Sequence, residues 1–160
     1  MGLDHWLTGK QYISTYDHDP KDVEMQKHLG EVLRDFNHGF KVQYIEYEII
    51  TWRKANFIHN WFVLNVQDGV DNCGTYRVEG EKLKELKNIC EEIALTPFIQ
   101  NAPKPEQLLP PVAGFFFGSQ EIDEYYFEEV KRTAELLSKA VPLDHMDAIN
   151  GMEFYYSSSW

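Results

Sequence analysis

The sequence predicts a single α+β domain over residues 1–160, a mainly antiparallel sheet packed with about four helices, one of them central and buried. Three observations lead there. Segments rich in β-branched and aromatic residues stand before, between and after segments of helical period. No repeat or shift in composition divides the chain. The run from position 52, Trp-Arg-Lys-Ala-Asn-Phe-Ile-His-Asn-Trp-Phe-Val, is apolar on two sides when stepped at about 100° per residue. A helix of that kind belongs inside a protein rather than on its surface.

Taken in order, the opening reads as a hairpin, with Leu3, His5 and Leu7 alternating with Asp4 and Trp6 before a turn at Thr8-Gly9. Asp19 and Pro20 start the first helix as its N-cap and first helical residue. Its apolar face is Met25, Leu29, Val32, Leu33 and Phe36, and Asn37-His38-Gly39 ends it. Residues 40–50 read as a strand leading into the central helix, drawn over 52–66. There Ala55, Ile58, Phe62 and Val66 face one way, and Phe57, Trp61 and Leu64 nearly the other. Residues 67–74 are a loop and 75–78 a short strand. Leu83, Leu86, Cys90 and Ile93 mark a third helix. Five prolines between 96 and 113 impose a long loop, which delivers Gly114-Phe-Phe-Phe-Gly-Ser119, read as a buried strand with a backbone turn at Gly118. Ser119 is expected to cap a fourth helix carrying Tyr126, Val130, Ala134, Leu137 and Val141. Residues 152–160 close as a last strand.

With 15 Lys and Arg against 26 Asp and Glu, the net charge of −11 works against general nucleic-acid binding and against an anionic membrane surface. Cations that gather in a pocket would stand out in such a chain. No run of about 18 apolar residues occurs, and no basic segment followed by an apolar one opens the sequence, so a cytoplasmic protein without a membrane partner is expected. Cys90 lies on an apolar stripe, and His5, His18, His38, His59 and His145 are scattered without metal-ligand spacing. Neither a metal nor a cofactor is expected.

Between the two apolar sides of the central helix, Arg53, Asn56 and Asn60 form a polar shoulder. With Trp52 and His59, and with Phe116 and Ser119 from the glycine-bounded run, they are the candidate ligand-binding residues. Aromatic faces stack bases, a guanidinium forks onto phosphate oxygens, and amides read base edges. Catalysis has no comparable marker, so no catalytic residue is assigned. Ser119 lacks the Gly-x-Ser-x-Gly surround of a nucleophile, and His59 on the margin of an apolar face reads as a core histidine.

The Met-Gly-Leu-Asp opening, the central Trp-Arg-Lys-Ala-Asn-x-Ile-His-x-Trp-Phe-Val run, the Gly-Phe-Phe-Phe-Gly-Ser segment and the aromatic-Ser-Ser-Trp ending together resemble a family of small, mostly uncharacterised proteins common in tailed-phage and prophage genomes. The resemblance spans nearly the whole chain. It implies a phage accessory protein acting in the host cytoplasm. By analogy with counter-defence proteins, it implies one that binds and sequesters a small nucleotide, a cyclic oligonucleotide immune signal in the sharpest form. Two alternatives stay open. One is a phosphodiesterase or other nucleotide-acting enzyme, with Arg53 and Lys54 on phosphate and His59 as acid or base. The other is an acidic inhibitor of a host nucleic-acid-binding protein. A homo-oligomer is open as well.

Overall fold

A computed structural model describes residues 2–96, 104–114, 118–145 and 151–160. Four strands, β1 (Asp4–Tyr12), β2 (Tyr44–Arg53), β3 (Thr75–Val78) and β4 (Met152–Ser159), form one sheet in the order β2-β1-β4-β3, antiparallel throughout. Four helices of ten or more residues accompany it: α1 (Pro20–Val32), α3 (Asn56–Asn65), α4 (Gly80–Leu95) and α6 (Glu124–Ala140). Two single turns, α2 (Arg34–Asn37) and α5 (Pro105–Leu108), complete the helical set, with a 3-10 turn (Val141–His145) after α6. The fold is α+β, and no helix among the described residues is long and apolar enough to cross a membrane.

The predicted opening hairpin is one continuous strand. Thr8 and Gly9 stay in the ladder because β1 is paired on both sides, to β2 and to β4. Gly9 serves close packing instead of a turn: a Cβ there would overlap the Met152 sulfur at 2.2 Å. Alternation then does what a half-buried strand requires. His5, Leu7 and Gly9 point inward with Trp52, Ile50, Phe154 and Tyr156 from the neighbouring strands, while Asp4, Trp6, Thr8 and Lys10 are half-exposed on the other face.

The central helix is shorter than its apolar pattern suggests. Trp52 and Arg53 belong to β2, paired with His5 and Asp4, and Lys54 takes the left-handed conformation (φ 60°), which no helix interior accepts. The helix starts at Asn56 and buries Phe57, Ile58, His59, Trp61, Phe62 and Val63, whereas Leu64 is exposed. Phe62 stacks on Tyr156 of β4 with ring centroids 3.9 Å apart, and Phe57 meets Tyr126 of α6 at 4.3 Å, so α3 is wedged between sheet and helix.

Helix α4 buries Leu83, Leu86, Cys90 and Ile93, the four positions read from its spacing, and packs on α6 through Tyr126, Val130, Ala134 and Leu137. Burial pushes the Cys90 thiol well up, so it acts as a small apolar residue. Ser119 does not cap α6. Asp123 does, accepting from the Tyr126 N–H at 3.1 Å, and the Ser119 hydroxyl accepts instead from Glu121 N–H at 3.0 Å. Of the expected strand at 114–119, Phe115, Phe116 and Phe117 lie outside the described residues, and Gly118 has the positive φ (93°) expected of a turn.

Because Phe62 has no exposed surface and bridges α3 to β4, Phe62→Ala is expected to cost about 3–5 kcal/mol of stability. A urea unfolding curve compared with wild type measures it.

Candidate functional site

Helices α1 and α2 form an arm between β1 and β2. Asp19 accepts from Lys21 N–H at 2.9 Å and Pro20 follows it, so the arm starts where the sequence places it. It ends at His38 (φ 49°) and Gly39 (φ 85°). Two side chains fix its base: Asp22 accepts from Ser14 N–H at 2.9 Å, and Gln26 accepts from Val42 N–H at 3.0 Å while donating to the Ser14 carbonyl. The expected apolar face is not buried. Met25, Val32 and Phe36 are exposed, the last at 81 %, because the arm packs on little besides itself.

A cavity of about 300 Å³ opens in this arm, lined by Lys27 and Arg34, seven residues apart on one side of the helical path, and by Phe40 and Lys41 beyond the turn. Gly30 lies between the first two, and nothing stands within 4 Å of where its Cβ would be, so the cations flank open space. Lys41 is 3.5 Å from the exposed Asp17. Among the described residues Lys27 and Arg34 have no carboxylate within ion-pair distance, and no carboxylate lines the cavity. In a chain of net charge −11 this is a local reversal of sign.

The residues singled out from the sequence do not converge on one pocket. Trp52 is fully buried, stacked on His5 at 4.9 Å, with its Nε1–H donated to Thr133 Oγ1 at 2.8 Å. Arg53 is exposed on the outer sheet face and pairs across the strands with Asp4 at 3.5 Å. Asn56 is a clamp: its amide donates to the Ser119 carbonyl at 2.8 Å and accepts from Val112 N–H at 3.0 Å, tying both ends of one loop to the start of α3. This brings Asn56 and Ser119 together, whereas Asn60 lines a separate cavity of about 320 Å³ beside α5. Phe116 is outside the described residues.

His59 belongs to a buried relay that crosses the core. Asp71 can only accept, so the His59 Nε2–H donates to its Oδ1 at 3.0 Å; Nδ1 then accepts from the Tyr156 hydroxyl at 2.6 Å, which accepts in turn from His5 Nδ1–H at 3.1 Å. Trp160 Nε1–H also donates to Asp71, at 3.2 Å. His5 Nε2 is left without a hydrogen bond of good geometry. Burial and the neighbouring His59 hold the His5 pKa well below 6.5. Burial also lowers that of His59, against the pull of Asp71. The relay joins α3, β1, β4 and the 67–74 loop.

Compared with models of known protein families, with curated proteins and with solved structures, the chain matches none.

The relay sets a pH dependence. Both histidines have lowered pKa values in the folded protein, so the unfolded chain takes up their protons first. Stability is therefore full above pH 6.5 and falls as pH drops below it, by up to about 1.4 kcal/mol per pH unit for each histidine. Urea midpoints between pH 7.5 and 5 should decline in wild type, and His5→Phe should flatten that decline.

Proposed function

We propose that the protein binds a small phosphorylated ligand of nucleotide type and releases it unchanged. The observation that carries this reading is the cavity of the arm, where Lys27 and Arg34 flank one space in an otherwise acidic molecule, with Lys41 at its wall held by Asp17 and the Thr15 carbonyl. Arg and Lys supply charge-assisted hydrogen bonds to phosphate oxygens, and Phe40, 77 % exposed at the rim, offers a face on which a base can stack. At about 300 Å³ the space is at the lower end for small-molecule sites and suits one nucleotide unit. The polar lining favours binding over turnover: Gln26 and Asn37 are committed to backbone groups, and the remaining polar side chains are cations.

The site thus sits about the arm and not at Arg53. The phage setting implied by the sequence resemblance gives the reading its sharper form, sequestration of a cyclic oligonucleotide signal with one of its nucleotides seated in the arm. An enzyme acting on phosphodiesters would need an acid or base beside the phosphate, which the described lining does not supply.

Calorimetric titration with nucleoside monophosphates and cyclic di- and trinucleotides tests this. Arg34→Ala is expected to weaken binding by about 1.5–3 kcal/mol, the range for a hydrogen bond to a charged group, and to leave the unfolding midpoint unchanged because the side chain is exposed. Chromatography of the recovered ligand should return it intact. Silence across the panel refutes the reading, and conversion of any member moves it to the enzyme class.

A further inference from the structure

Among the described residues, the β2 edge of the sheet is protected over only half its length. Lys54 N–H bonds to the Leu3 carbonyl, so Trp52 and Ile50 face β1 through their backbone groups while Thr51 and Arg53 turn theirs outward. Helix α6 covers those two. Arg132 donates to the Thr51 carbonyl at 2.7 Å, and the Tyr125 hydroxyl donates to the Arg53 carbonyl. Burial, helped by Glu129, raises the Tyr125 pKa to about 12, so the phenol stays a donor.

At Ile49 the register shifts by one residue, a bulge that opens the other half. Ile13 N–H bonds to the Gln43 carbonyl, so Ile45 and Tyr47 now face β1, and Tyr44, Glu46 and Glu48 present their N–H and C=O groups outward. Among the described residues nothing bonds to them. Beneath this stretch a groove of about 480 Å³ lies against the C-terminal turns of α6, walled by Tyr47, Ile49, Leu136, Ala140, Leu143 and Met152.

We propose that this half-edge and its groove dock an extended segment of a partner protein, added as a fifth strand along 44–48, with an apolar side chain in the groove and basic side chains on the outer face. Main-chain pairing supplies affinity in such an arrangement, and the pocket reads alternate side chains. The charge of the occupant follows from the surface. Glu46 and Glu48 have no ion-pair partner among the described residues, because the nearest cross-strand cation, Lys10, is drawn over the Tyr44 ring at 4.5 Å. Lys139 at the groove wall is the one opposing charge of the lining, and the chain as a whole is at −11. A second copy fits poorly: self-pairing centred on Tyr47 sets Glu46 against the other copy's Glu48, and like charges directly opposite destabilise a ladder.

The probe is a fluorescein-labelled seven-residue peptide alternating lysine with phenylalanine and valine, together with the same peptide N-methylated on alternate amides. The methylated form keeps charge and apolar surface but cannot complete the ladder. Fluorescence anisotropy should show at least tenfold weaker binding of the methylated peptide to wild type. Glu46→Pro removes an outward N–H and spares the β1 ladder, so it should lose the unmodified peptide equally while keeping the wild-type circular dichroism and melting temperature. If that variant melts early, Leu143→Gln, which polarises the groove without touching the edge, replaces it, with the same tenfold loss expected. Equal binding of the two peptides overturns the proposal, as does a dimer by light scattering that Glu46→Pro dissociates, which would make the edge a self-interface. Nucleotide binding at the arm is measured separately and is untouched by either outcome.

Discussion

The pairing of β1 with β2 on one side and β4 on the other is the constraint on which the remaining structure depends. β1 and β4 are the first and last strands in the chain and the two inner members of the sheet, so α3 lies on the one connection that crosses the sheet, from edge β2 to edge β3, while α4 and α6 lie between the neighbours β3 and β4. Strand alternation turns His5, Leu7, Phe154 and Tyr156 to the same side, and that side is where α3 and α6 lie. The stacking of Phe62 on Tyr156 and the hydrogen bond from Tyr156 to His59 both require β4 in this register. A slip of one residue would send every inward side chain outward, so ladder and core enforce each other.

The polar core is a consequence of the same register. Placing His5 opposite Ser158 and next to Tyr156 brings two imidazoles within 5.7 Å inside a nonpolar surround, a costly arrangement unless both stay neutral and bonded. Asp71 solves most of this by fixing the His59 tautomer from the loop, and it also holds the indole of Trp160. The relay therefore couples loop and strand.

Much of the fold was legible wherever one period ruled a segment without competition. Helix α4 shows its four buried positions at helical spacing, and β3 is bounded as read because its alternation sits between a glycine-containing loop and a helix start. Reading failed where two periods agreed on the same residues. Trp52 suits the inward face of a strand as well as the margin of a helix, and only the left-handed Lys54 separates them, a backbone feature that a lysine does not announce. At Thr8-Gly9 the glycine meant close approach to Met152 and not a turn, a fact set 143 residues away. For the proposed site, the sequence signal is Lys27 and Arg34 two helical turns apart with Gly30 between; it is hidden because the apolar residues of the same helix suggest a face against the body.

The two proposed binding features lie where the sheet is unfinished. At the Arg53 end the surface is sealed: Asp4 pairs with Arg53, Tyr125 and Arg132 occupy the outward carbonyls, and Asn56 ties Val112 and Ser119 over the start of α3. Polar groups satisfied there have little left to offer a ligand. At the Tyr44 end the register shifts at Ile49, and among the described residues the outward backbone groups are unpaired and Lys27 and Arg34 of the arm have no ion-pair partner. An arm that packs on little but itself can present Lys27 and Arg34 to an anion without drawing on the core for stability, so the binding proposed for it is physically separable from folding.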